Sequence, residues 1–135
     1  MGIAVDSNGN VFVVDRFNNR VQKFTINGRF VAKWGTDGGT GGPDYIINSG
    51  SGDGDFFLPI GITVDPAGNV YVTDSSNNRV QKFSNNGTFI TKFGRFSGMA
   101  GNFFSPQGIA VDAGGKVYVT DGLLHRVQIF APAPN

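Results

Sequence analysis

Along residues 61–94 apolar and polar side chains alternate in runs of three to six, and each run is cut off by turn-forming residues. Ile62-Thr63-Val64 is stopped by Asp65-Pro66-Ala67-Gly68-Asn69, where glycine can take a positive φ. Val70-Tyr71-Val72-Thr73 is β-branched and aromatic, Asp74-Ser75-Ser76-Asn77-Asn78 is a second turn cluster, and Arg79-Val80-Gln81-Lys82-Phe83 is a third strand. Asn85-Asn86-Gly87 turns the chain again before Thr88–Phe93 closes the unit. Period-two runs this short, joined by turns this tight, predict four antiparallel strands in sequence order.

The same pattern is written three times. Gly2-Ile3-Ala4-Val5-Asp6 through Trp34-Gly35 matches Gly61-Ile62-Thr63-Val64-Asp65 through Phe93-Gly94, and Gly108-Ile109-Ala110-Val111-Asp112 begins a third copy that stops at Phe130. A four-stranded unit that recurs in this way buries its apolar faces only against its neighbours, which predicts an all-β fold of β-propeller blades. The expected plan is blade 1 over about 2–35, a crossover over 36–60, blade 2 over 61–94, a crossover over 95–107, an incomplete blade 3 over 108–130, and a tail over 131–135. Eleven strands follow, grouped four, four and three. Gly54-Asp55-Phe56-Phe57-Leu58-Pro59 aligns with Gly101-Asn102-Phe103-Phe104-Ser105-Pro106, so the paired phenylalanines of the crossovers are expected to plug the seams between blades.

Composition sharpens this picture. The chain of 135 residues has no glutamate, and Gly and Asn supply about a quarter of it, which suits turns rather than helices. Ten aspartates balance eleven Lys and Arg, so net charge recruits neither nucleic acid nor an anionic membrane surface. The absence of cysteine excludes disulfides and thiolate metal sites. No apolar run approaches a membrane span, and the first residues read as a strand rather than a signal peptide.

Gly-Ile-(Ala/Thr)-Val-Asp, Gly-(Asn/Lys)-Val-(Phe/Tyr)-Val-(Val/Thr)-Asp and Asn-Asn-Arg-Val-Gln together resemble the NHL repeat family. The resemblance covers nearly the whole chain and implies a β-propeller, in that family most often six-bladed. It implies little about activity, because such propellers serve as protein-binding, RNA-binding, sensor and more rarely enzymatic domains. Three blades are half of a six-bladed ring and would leave two blade faces open, so the chain is expected to assemble as a homodimer that closes the ring. A fragment of a longer NHL-repeat protein is the other reading.

Asp6, Asp65 and Asp112, with Asp15, Asp74 and Asp121, recur beside turns, which points to Asx-type turn bonding or pairing with the equally periodic Arg20, Arg79 and Arg126. The remaining aspartates, Asp37, Asp44, Asp53 and Asp55, all fall in the first crossover, which at 25 residues exceeds the 13 of the second through an insertion around Asp37–Asn48. Long loops are often functional. A calcium site from Asp44, Asp53 and Asp55, a partner-binding loop and a solvated loop all remain open.

In a four-stranded blade the turn between the second and third strands and the crossover to the next blade leave on the same rim. That rim would gather Arg16, Phe17, Asp37, Asp44, Tyr45, Asp53, Asp55, Arg95, Phe96, Leu123, Leu124 and His125 as ligand or partner contacts. His125 is the single histidine and cannot by itself build the multi-histidine zinc site of the family's amidating lyases. No nucleophile elbow, cysteine or glutamate is present to act as nucleophile or general base. The expected function is a noncatalytic scaffold that binds a protein, peptide or small ligand on this rim and needs no cofactor. The alternative is a metal-dependent propeller enzyme of the lyase or lactonase type.

Overall fold

The computed structural model describes residues 2–35 and 49–131. The first blade consists of β1 (Ile3–Val5), β2 (Val11–Asp15), β3 (Arg20–Phe24) and β4 (Phe30–Gly35), hydrogen-bonded in sequence order. The second is β5 (Ile62–Val64), β6 (Val70–Asp74), β7 (Arg79–Phe83) and β8 (Phe89–Phe93), and the third is β9 (Pro106–Val111), β10 (Val117–Asp121) and β11 (Arg126–Phe130). All pairings within the blades are antiparallel, in the grouping of four, four and three that the alternation predicts. Single 3-10 turns at Arg16–Asn18 and Ser75–Asn77 join the second and third strands of the first two blades, and no described helix is long and apolar enough to cross a membrane. The innermost strands β1, β5 and β9 stand side by side.

The seams between blades form the core. Phe12, Val14 and Val21 of the first blade meet Ile62, Val70, Val72 and Phe83 of the second, with the crossover residue Phe56 buried among them. Across the other seam Tyr71 and Val80 meet Val117 and Val119 around Phe103. Phe56 and Phe103 are therefore the plugs, whereas Phe57 and Phe104 are only half-buried. The glycine closing each outer strand lets the plug in: a Cβ on Gly35 would lie 2.8 Å from the Phe56 ring and one on Gly94 would lie 2.5 Å from the Phe103 ring. Trp34 extends the first seam, with its ring 5.9 Å from Phe83 and 6.2 Å from Phe12.

Burial reports directly which blade is covered on both faces. Every residue of β6 and β7 is buried, whereas β2 alternates buried and half-buried, and only Val117, Val119 and Asp121 of β10 are buried. Ile3, Val5, Val127 and Ile129 are exposed on the outer faces of the first and third blades, at 55–68% of their maximum.

Candidate functional site

The turn between the second and third strands of each blade is tied to the crossover, and together they make one rim. Ser76 N–H donates to the Phe57 carbonyl (3.1 Å) and Gly122 N–H to the Ser105 carbonyl (3.4 Å). Each turn ends in a left-handed residue, Asn19 (φ 50), Asn78 (φ 53) and His125 (φ 50). The first two use their side chains to hold the next blade: Asn19 Oδ1 accepts from Leu58 N–H at 2.7 Å and Asn78 Oδ1 from Ser105 N–H at 2.8 Å. Asn favours such positions because its short amide tolerates this backbone region and bonds locally. His125, set in the same conformation, is exposed.

Of the residues the sequence assigns to this rim, Phe17, Phe96 and Leu123 are exposed at 57%, 65% and 63%. The Arg16 guanidinium lies over the Phe17 ring at 5.5 Å, and Phe96 packs edge-on to Phe104 at 4.2 Å. Arg95 is exposed and Leu124 half-buried. Ser75, in the turn of the middle blade, is buried, and its hydroxyl donates to the Pro106 carbonyl, so it serves the seam. Asp53 is exposed and pairs with Lys92 at 2.6 Å. Asp55 is half-buried, its carboxylate set against Gly50 and Gly52 while its carbonyl accepts from Arg79 and Gln81. Asp37, Asp44 and Tyr45 lie outside the described residues, and no cluster of three metal-ligating side chains occurs among the described ones.

The periodic aspartates divide by position. Asp6, Asp65 and Asp112 close the first turn of each blade: Asp6 Oδ1 accepts from Asn8 and Asn10 N–H, Asp65 Oδ1 from Asn69 N–H, and Asp112 Oδ1 from Gly114 and Lys116 N–H. For Asp6 burial pushes the carboxyl up, but the hydrogen bonds from Asn10, Asn85 and Asn8 outweigh it and hold the group below its usual range. The Lys116 N–H, with further donors, holds Asp112 low as well. Burial beside Asp65 pushes Tyr71 up to about 12. Asp15, Asp74 and Asp121 instead face Arg20, Arg79 and Arg126, at 2.8, 2.8 and 3.9 Å. Burial drives the Asp74 carboxyl upward, and the donors Phe57 N–H, Asn77 and Arg79 oppose this without cancelling it.

Sequence reasoning missed a concavity away from this rim. At the opposite end of the inner strands a cavity of about 230 Å³ is lined by the corners Val5-Asp6-Ser7, Val64-Asp65-Pro66 and Val111-Asp112-Ala113. The recurring Val-Asp pair marks these corners in the sequence, but only the lateral packing of β1, β5 and β9 converges them. Their carboxylates are taken up by the turns just described.

Consecutive antiparallel blades, inner strands side by side and aromatic seams define a β-propeller. The WD40 β-propeller domain of Doa1 is similar in fold, with a TM-score of 0.65 at 14% identity over 97% of this chain and 36% of that one. The model of the NHL repeat matches residues 2–24, 58–83 and 103–130, more than half of the chain, and the chain belongs to the NHL repeat family. Protein lin-41 of Caenorhabditis elegans is 58% identical over 43 residues, covering 32% of this chain and 4% of that protein. Peptidyl-glycine alpha-amidating monooxygenase A of Xenopus laevis is 34% identical over 92 residues, covering 65% of this chain and 9% of that protein. The chain thus spans less than a tenth of the length of these relatives.

Proposed function

We propose that this propeller is a noncatalytic interaction module whose rim of turns and crossovers binds a protein or peptide. The observation that carries the reading is the exposure of Phe17, Phe96 and Leu123 on turns whose backbones are fastened to the blades beneath them. Apolar side chains held out from a rigid scaffold lose little entropy on binding, and aromatic groups dominate the energetics of contact surfaces. Similarity to an amidating monooxygenase keeps the metal-dependent enzyme as the competing class. Stoichiometric zinc or calcium surviving dialysis of the purified chain would favour that class. Selection of displayed peptides on the chain tests the binding reading: peptides that bind the parent and lose affinity on a Phe96→Ser, Leu123→Ser variant support it. Binders indifferent to both substitutions would place recognition elsewhere.

The open faces support a second element, self-association. Ile3 and Val5 on one end blade, with Val127 and Ile129 on the other, are apolar strand residues in water, and burying a standard contact of about 800 Å² per partner gives a substantial gross driving force. The chain is proposed to form a homodimer that closes a six-bladed ring. Sedimentation at micromolar concentration should find the dimer, and Ile129→Lys should shift it to monomer. A folded monomer of the parent chain would end the closure model.

A further inference from the structure

The two junctions between described blades are built on one frame. Arg79 donates to the carbonyls of Ser51, Gly52 and Asp55 at 2.9, 2.8 and 2.9 Å, and Arg126 to those of Gly98, Met99 and Asn102 at 3.0, 3.2 and 2.9 Å. Gly50 N–H donates to the Phe56 carbonyl and Ser97 N–H to the Phe103 carbonyl, at 3.0 and 3.3 Å. The crossovers and the turns beside them therefore correspond residue for residue. Ser49, Gly52, Ser76 and Asn77 at the first junction give way to Phe96, Met99, Leu123 and Leu124 at the second, and Asp53 and Asp55 to Ala100 and Asn102. One stretch of the rim has turned apolar and lost its carboxylates while keeping the backbone beneath it.

These apolar residues belong to one junction. Phe104 N–H donates to Asp121 at 2.9 Å and Gly122 N–H to the Ser105 carbonyl at 3.4 Å, which sets the turn of Leu123 and Leu124 beside Phe104, and Phe96 packs edge-on to Phe104. Phe96, Met99 and Leu123 are exposed, at 65%, 71% and 63%. Their exposure comes from the junction and not from an edge of the array. Phe96 and Met99 lie on the crossover between two described blades, and Ser76, the counterpart of Leu123, is exposed although its own blade is flanked on both sides.

The apolar exchange has a cost in buried polar bonds. Asn77 Nδ2 donates to Asp74 Oδ2 at 2.9 Å and to the Gly50 carbonyl at 2.7 Å, and Leu124 in its place has no donor to offer. Asp121, its side chain 0% exposed, stands 3.9 Å from the Arg126 guanidinium, and its Oδ1 and the Arg126 Nε are buried without a partner. An unpaired buried polar atom lowers stability, and sequences break local rules in this way at functional positions. Charge changes as well. Asp53 pairs with Lys92 at 2.6 Å at the first junction, whereas at the second Arg95 is exposed and makes no ion pair among the described residues. The carboxylates that follow it in the chain are Asp112, at the opposite end of the inner strands, and the buried Asp121.

We propose that Arg95, Phe96, Met99, Phe104, Leu123 and Leu124 form the docking site of an acidic peptide segment that carries an aromatic or aliphatic anchor. This deepens the rim reading above and rests on it. The anchor packs on the Phe96–Phe104 pair and on the leucines, with Met99 adapting to its shape, and a neighbouring Asp or Glu of the segment meets the Arg95 guanidinium. With Arg126 tied to backbone carbonyls, Arg95 supplies the junction with unpaired positive charge, enough for a carboxylate and too little for a phosphate backbone.

The test is selection of displayed peptides on the 135-residue chain, followed by titration of the enriched peptides against variants. Enriched sequences should combine Asp or Glu with Phe, Trp or Leu. Their affinity should fall about tenfold on Arg95→Glu, which sets like charges together, and should weaken as ionic strength rises. Leu124→Asn restores the amide of the middle blade, so it should hold or raise the melting midpoint while weakening the same peptides, a split that a merely structural Leu124 would not give. Peptides that lose affinity on Phe96→Ser but are indifferent to Arg95→Glu would overturn the acidic partner and leave the broader rim reading standing. Peptides indifferent to all three substitutions, or no enrichment at all, would end both. An oligouridylate that binds through Arg95 and Phe96 where no acidic peptide does would overturn the proposal in favour of single-stranded nucleic acid.

Discussion

The first and middle blades carry nearly the same sentence, and the structure treats their shared residues differently. Asp74 and Arg79 are buried, with side chains 0% and 7% exposed, whereas Asp15 and Arg20 hold the same 2.8 Å contact at 23% and 32%. Phe83 is 1% exposed and its counterpart Phe24 only half-buried. Lys82 is buried over the Tyr71 ring, whereas Ile129 at the same position of the last blade is 62% exposed. A repeat position therefore has no fixed energetic value. Its neighbours on either side decide whether a polar group is a satisfied core element or a solvated one, and whether an aromatic is a seam plug or a surface contact.

Substituting matched positions in the two blades tests this comparison most severely. Asp74→Ala strips the acceptor from Phe57 N–H, Asn77, Arg79 and Gln81 at once and leaves a buried guanidinium without its counter-charge. Breaking a buried pair costs about 3–5 kcal/mol, whereas Asp15→Ala should cost about 1 kcal/mol or less, as for exposed pairs. Urea denaturation of the two variants measures the gap, and equal losses would show that the blades are energetically alike. Phe83→Ala should cost about 3–5 kcal/mol and Phe24→Ala roughly half of that, in proportion to covered apolar area. If a second chain covers the outer face of the first blade, the Phe24→Ala loss should grow as protein concentration rises.

Weaker effects sharpen the comparison at the turns and crossovers. The second crossover joins its blades with 13 residues against 25 in the first, so deletion of residues 37–48 should leave cooperative unfolding intact. Halving a loop changes its closure term by about 0.6 kcal/mol, and thermal melts that lost their transition would assign the insertion to the core. The smallest effect is a pH dependence. Asp6 is held below 3.8 in the folded chain, so its contribution is complete above that value and is lost as pH falls through the folded value. Asp6→Asn should flatten the acid limb of the stability profile, whereas an unchanged limb would mean that the Asn10 and Asn85 donors do not favour the ionised form.

Much of this was legible in the chain. Alternation and turn chemistry located the eleven strands, because strand period and hairpin geometry are local properties of a few residues. The alignment of the two crossovers identified the plugs as a Phe pair, but not that Phe56 and Phe103 fill the seams while Phe57 and Phe104 do not, since that depends on which side faces a neighbouring blade. The recurring aspartates were legible as a set with two possible roles. Their division into turn closers and arginine partners required knowing which end of the blade each occupies. Phe17, Phe96 and Leu123 were assigned to one rim from the topology of a four-stranded blade, and the structure shows them exposed, whereas the cavity at the other end of β1, β5 and β9 was invisible, because no single repeat contains it.

The sequence by itself determined the repeating blade, its strand order and its crossovers, because these follow from side-chain period and backbone preference within about forty residues. Only the tertiary structure decided that Arg79 and Arg126 clasp three backbone carbonyls while Arg20 does not, among the described residues. Hydrogen bonding and burial are set by what one blade places against another, and identical strands acquire different surroundings when they stand at the middle or at the edge of the array.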